Sequence, residues 1–197
     1  MTENNAAPVV STCVEDASTR SFAWYPMYVK YRKELIVKAV LDANDFRTFI
    51  PMETFYVKRG ASVRVEERPA IHNLLFVYSY KERISWMKMF NRECLNLQYM
   101  SRRHLDGSSE IITVTEKAMD NLIRASRIDD PQGQRSYIEC PLKITDLDKT
   151  IKFIDGSFKG IEGIIKRIDG NRAMIIPVAE GINMKITITK SSDIEFI

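Results

Sequence analysis

The last third of the chain sets the tightest limit on what it can fold into. The stretch "IDGSFKGIEGIIKRIDG" (residues 154–170) holds four glycines in seventeen residues, and "NRAMIIPVAEGINMKITITKSSDIEFI" follows it. The aliphatic runs between the glycines are too short for a helix. Ile, Thr and Val are stiff at χ1 and favour strands. Ile151, Phe153 and Ile164 alternate with polar positions, as strands with one buried face should. Five of the eight glycines lie beyond residue 155. Tight turns need positive φ, and strands that close on themselves must bend. These signs predict a small β-barrel over residues 143–197, with strands rather than a helical hairpin at its end.

The preceding residues follow a different grammar. Residues 1–20 are small and polar without periodicity and read as a flexible leader. A strand is predicted at "SFAWYPMYV". A helix follows at "RKELIVKAVLDAN", with Leu35, Ile36, Ala39 and Val40 on its apolar face. Next come strands through "FRTFIPMETFYV", a turn at Lys58-Arg59-Gly60, and further strands to "LLFVYSY". "KERISWMKMFN" reads as a short amphipathic helix, "CLNLQYM" and "EIITV" as strands, and Thr115 as the cap of a helix over "EKAMDNLIRASR". This order predicts an α+β fold over residues 21–126, an antiparallel sheet with helices against it. Residues 127–142, with Pro131 and Gly133, read as a linker.

Composition narrows the function classes. The longest apolar runs, such as "HNLLFVY", fall far below the ~20 residues of a membrane-spanning helix. No secretory signal is visible at the start, so no membrane partner is expected. Cys13, Cys94 and Cys140 are scattered and odd in number, which predicts reduced thiols in a cytoplasmic protein. His72 and His104 have no ligand at metal spacing, so neither metal nor cofactor is expected. GxSxG, P-loop and Ser-His-Asp contexts are missing, which argues against an enzyme. The net charge is +3, and residues 21–130 carry most of the excess. That balance permits nucleic-acid contact without demanding it.

Two motifs carry a family resemblance. Asp155-Gly156-Ser157-Phe158-Lys159-Gly160-Ile161-Glu162-Gly163 resembles the KOW motif of small SH3-like barrels, with Asp155, Gly156, Phe158, Gly160 and Gly163 at its defining positions. "WYPMYVKYRKELIVKAVL" followed by "ERPAIHNLLFVYSY" resembles the NGN domain of NusG-type transcription factors. Trp24-Tyr25 match its start, and Pro69, Asn73, Leu75, Phe76 and Val77 its later segment. "PMETFYVKRGASVRVEER" is similar to the hairpin between them. Within the family the chain looks more like the specialised RfaH/UpxY-type paralogues than the housekeeping factor. It departs from them where Phe-Pro-x-Tyr becomes Ile71-His72-Asn73-Leu74. It departs again where the polymerase-touching His-Thr-Thr aligns with Ser85-Trp86-Met87.

The resemblance implies an elongation and antitermination regulator. Such a factor docks on the clamp helices of bacterial RNA polymerase and disfavours the paused state, at specific operons such as surface-polysaccharide loci. Trp24, Tyr25, Ile71, Asn73, Leu74 and Leu75 are the residues it implies for that contact. Lys30, Tyr31, Arg32 and Lys33, with Arg102 and Arg103, are those it implies for non-template DNA. Cations there would meet phosphates, and Tyr28 and Tyr31 could stack on an unpaired base. Each aromatic can equally be core, and each cation a solvated surface. The barrel would engage Rho or a ribosomal protein. The alternative is an RNA-binding or ribosome-associated KOW protein, whose binding would weaken more steeply with salt.

Overall fold

In a computed structural model of the chain the described residues are 21–60, 62–128, 130, 134–139, 149–168, 170–179, 181–189 and 192–197. The leader with Cys13, residues 131–133 and 140–142 of the expected linker, and residues 143–148 of the expected barrel lie outside them. Among the described residues the fold is mixed, with three α-helices and antiparallel sheets.

The first strand, β1 (Ala23–Val29), alternates its apolar residues between two faces. It pairs with β5 (Leu74–Ser79) on one side and β6 (Leu97–Tyr99) on the other. With β2 (Arg47–Phe49) at the edge, the sheet order is β2-β5-β1-β6. Two faces follow from the register. Tyr25, Met27, Val29, Leu75 and Val77 face α1 (Glu34–Asp42) and α2 (Lys81–Phe90), which contribute Val37, Leu41, Ile84 and Met87. Trp24, Leu74 and Phe76 face the other way, onto Met119, Leu122 and Ala125 of α3 (Glu116–Arg127). Between β2 and β5, β3 (Met52–Arg59) and β4 (Ser62–Pro69) form a long hairpin turning at Gly60, as expected. A second small hairpin joins β7 (Ser101–Arg103) to β8 (Ser109–Ile111).

The C-terminal residues form a six-stranded antiparallel sheet, in the order β14-β10-β11-β12-β13-β9. Its strands are β9 (Arg135–Glu139), β10 (Thr150–Phe153), β11 (Glu162–Ile168), β12 (Asn171–Ala179), β13 (Ile182–Thr187) and β14 (Ile194–Phe196). Strand β9 lies inside the stretch read as a linker and pairs with β13. A register shift at Pro177–Ala179 bends β12, as a bulge does.

Two local readings differ. In α1 the buried residues are Glu34, Val37 and Leu41, whereas Leu35, Ile36 and Ala39 are exposed. Apolar residues surround this helix on nearly every side, so the 3.6-residue period allowed more than one face. "CLNLQYM" is not one strand. A 3-10 turn over Arg92–Asn96 comes first, with Asn91 Oδ1 accepting from Glu93 N at 3.0 Å, and only Leu97–Tyr99 pairs.

One apolar cluster joins the two halves of the chain. Trp24, Ile71, Leu74, Phe76, Met119 and Leu122 pack in the same cluster as Ile151, Phe153, Phe158, Ile161, Met174 and Met184. The N-terminal sheet thus buries one face under α1 and α2, and the other under α3 and the C-terminal sheet.

Candidate functional site

The six residues expected to touch polymerase do not form one surface. Strand alternation separates them. Trp24, Ile71 and Leu74 lie on the face shared with α3 and the C-terminal sheet, each at 3% exposure or less. Tyr25 and Leu75 lie on the opposite face, in the core under α1 and α2. Burial raises the Tyr25 phenol above its ordinary range, and the nearby Glu82 carboxylate adds to this.

Around Trp24 the edges of the face are polar. The Arg47 guanidinium lies 5.0 Å from the Trp24 ring centre and 5.6 Å from that of Tyr78, and reaches Asp120 of α3 at 3.6 Å. Tyr78 Oη donates to Glu116. Trp24 Nε1 is buried and has no hydrogen-bond partner among the described residues.

The C-terminal sheet is held on this face by more than apolar contact. Glu162 N donates to Asn121 Oδ1 at 3.1 Å, and Asn121 Nδ2 donates back to the Glu162 carbonyl. Lys117 Nζ stands 3.0 Å from a Glu162 carboxylate oxygen. One α3 side chain thereby pairs with both main-chain groups at the start of β11.

The glycine motif sits at this contact. Phe158 is 4% exposed and stands 5.9 Å from Phe153, ring centre to ring centre, as a plug beneath the turn. A β-carbon on Gly160 would stand 3.0 Å from Arg124 Nη2 of α3, so the turn passes close to the helix. Asp155 Oδ1 accepts from Gly156 N at 2.8 Å at the mouth of the turn.

The expected nucleic-acid residues fall into two separate groups. Lys30, Tyr31, Arg32 and Lys33 form a tight turn between β1 and α1. Tyr31 is 75% exposed, and Tyr28 near the end of β1 is 43% exposed. Lys33 Nζ is 3.8 Å from Glu93. Asn73 is bound to this turn: its main-chain oxygen accepts from Val29 N at 2.8 Å and its Oδ1 from Arg32 N at 2.9 Å. Arg102 and Arg103 belong to β7. The antiparallel register sets Leu97 beside Val29, and Met100 N donates to Pro26 O. The chain therefore reaches Arg102 past the opposite end of β1, away from Lys30.

Two further features escaped the sequence reading. Glu34, the first residue of α1, is buried, with Oε1 3.9 Å from His72 Nδ1 and Oε2 without a partner among the described residues. On α2, Trp86, Met89 and Phe90 are mostly exposed, and Trp86 and Phe90 lie 5.2 Å apart. Of Ser85-Trp86-Met87 only Trp86 projects to solvent. Met87 is buried, and Ser85 Oγ lies 3.2 Å from Tyr99 Oη.

A family model described as transcription termination factor nusG matches residues 22–123. That span takes in the four-stranded sheet, both hairpins, α1, α2 and most of α3, and more than half of the chain. The chain belongs to the NusG family. NusG-family proteins are non-enzymatic transcription factors that bind RNA polymerase, which sets the expected chemistry of the site as recognition rather than catalysis. No curated protein matches the chain. A solved structure titled "Domain interaction in Thermotoga maritima NusG" is similar at 13% identity and a TM-score of 0.42, over 90% of this chain and 98% of that one. At that score nothing carries over from it. Among the described residues no helix is long and apolar enough to cross a membrane, and no cluster of His, Cys, Asp and Glu could hold a metal ion.

Proposed function

We propose that this NusG-family chain is an elongation and antitermination regulator of the RfaH/UpxY type. It docks on the clamp helices of bacterial RNA polymerase through the apolar face that carries Trp24, Ile71 and Leu74, and suppresses pausing or termination at specific operons. Residues 21–126 act as the NGN-like domain and residues 143–197 as a KOW barrel. The barrel takes Rho or a ribosomal protein as its partner, and the protein works in the cytoplasm.

One observation carries the reading. The apolar face of the family-matched sheet is covered by a separate part of the same chain, with polar fastenings to α3 at Asn121–Glu162, Lys117–Glu162 and Arg135–Ala125 around the apolar contact. A face covered by a second folded unit can exchange that cover for a partner with matching apolar shape. The polymerase and the C-terminal sheet then compete for Trp24, Ile71 and Leu74. Apparent polymerase affinity is the intrinsic affinity scaled by the fraction of molecules with the face uncovered. Stabilising the unpaused polymerase follows if the face binds that state better than the paused one. Tyr25 and Leu75 act one layer below, as core that fixes the strands presenting the face.

The turn at Lys30–Lys33 takes the non-template DNA strand, with phosphates on the cations and an unpaired base on Tyr31. Arg102 and Arg103 are a separate basic site.

The test is binding of the full chain to core RNA polymerase from its own host across a salt series. Docking through an apolar face should hold its affinity as salt rises. If binding is instead to RNA and falls steeply with salt, the ribosome-associated KOW reading replaces this one.

A further inference from the structure

We infer that Asn73 is the positioning residue for a single-stranded DNA contact made by Tyr31, an inference that rests on the DNA contact proposed above. Four non-glycine residues among those described have positive φ: Tyr31 (66°), Arg32 (53°), Asp45 (59°) and Asn73 (63°). Three of the four meet at one place. Tyr31 and Arg32 are consecutive in the turn after β1, and Asn73 sits across from them at the start of β5. Non-glycine residues in the left-handed region are strained and persist only when their surroundings over-determine them; such strain gathers at functional sites. For a bulky tyrosine the conformation is a true outlier.

Asn73 supplies the over-determination. Its main-chain oxygen accepts from Val29 N at 2.8 Å, which holds the end of β1. Its side-chain Oδ1 accepts from Arg32 N at 2.9 Å, the second of the two strained residues. Asparagine is among the few residues that tolerate positive φ and also carry an acceptor on a short side chain. Nothing in the packing of β1 or α1 calls for this arrangement, because none of the three residues of the turn is buried.

What the strain achieves is placement. It leaves the Tyr31 ring 75% exposed, with Lys30, Arg32 and Lys33 as its neighbours in the turn. Tyr31 has no ring contact among the described residues. A bare aromatic face among cations matches a single strand, whose bases offer open π-faces and whose phosphates take the charges. A duplex hides its base faces by stacking, so a single strand is the occupant that uses every part of the turn, and the DNA strand is the one the reading above supplies.

The experiment is an anisotropy titration of the full chain with a labelled single-stranded DNA oligonucleotide of about a dozen nucleotides. A duplex and an RNA of the same sequence serve as controls. Asn73→Gly keeps the left-handed backbone and removes the acceptor, Asn73→Asp keeps the acceptor, and Tyr31→Asn keeps the backbone preference and removes the ring. The wild type should bind the single strand more tightly than the duplex. Asn73→Gly and Tyr31→Asn should each weaken it about fivefold or more, the size of one lost stacking contact. Asn73→Asp should restore most of the loss, and Tyr31→Asn should melt no lower than wild type. Equal binding by Asn73→Gly and wild type would overturn the positioning role and leave the DNA contact standing. Absence of single-stranded DNA binding by the wild type would remove the contact itself, and preference for the RNA would move it to the ribosome-associated reading.

Discussion

Gly163 shows how single residues limit this fold. A β-carbon there would stand 2.5 Å from Met174 Cγ and 2.7 Å from the Ile175 carbonyl oxygen. The methionine can give way but the backbone cannot. Gly163→Ala is therefore expected to destabilise the C-terminal sheet by about 1–3 kcal/mol, the usual cost of overpacking, measured by chemical denaturation. At Cys94 burial raises the thiol above its ordinary range, and the Glu93 carboxylate adds to the shift. The thiolate is the form that attacks thiol reagents, so Cys94 should stay unlabelled in the native protein and react only on unfolding. A variant with Cys13→Ser and Cys140→Ser isolates that signal. The same shift has a consequence for stability. The unfolded thiol ionises near 9.0 while the folded one holds its proton. Its contribution is complete below that pH and is lost as pH climbs through the folded value; Tyr25 and Tyr99 act alike at higher pH. Thermal melts should show a falling midpoint above about pH 9.

Elements were legible in proportion to how local their signals are. Thr115 reads as a cap from sequence because the bond it makes is three residues away: its Oγ1 accepts from Ala118 N at 3.3 Å. Thr115→Ala should cost about 0.5–2 kcal/mol, read as a lower melting temperature with loss of α3 ellipticity. The turn within residues 155–163 was equally legible, since Gly156 and Gly160 turn the chain at positive φ and Phe158 is buried beneath it. The face of α1 was not. Val37 and Leu41 rather than Leu35 and Ile36 turn inward, on a helix entered from the Tyr31–Arg32 turn. Such a turn has no sequence signature, because neither residue is one that usually adopts positive φ. Asn73 was quoted among the polymerase contacts on the strength of a motif. Asparagine's tolerance of positive φ was the available clue to a left-handed position.

At the scale of the whole molecule, the contact between the N-terminal and the C-terminal sheet was not legible in the sequence. Trp24 and Leu74 read as strand residues of one sheet, and Phe153 and Phe158 as the core of another. Nothing periodic links residues so far apart in the chain. The structure joins them in one cluster, and with it covers Trp24, Ile71 and Leu74, which were expected to meet polymerase. The central claim is that this cover and RNA polymerase compete for the same face. Leu74→Ala would be a poor probe, since truncating a buried leucine costs about 2–5 kcal/mol in its own right. Asn121 is the better handle, being a half-buried α3 residue whose two hydrogen bonds fasten Glu162. The deciding measurement is the affinity of core RNA polymerase for wild type and for Asn121→Ala, with circular dichroism confirming that the variant is folded. Loss of two hydrogen bonds of about 1 kcal/mol each should favour the uncovered state and tighten binding by about fivefold or more. Unchanged or weaker binding by a folded Asn121→Ala would contradict the account.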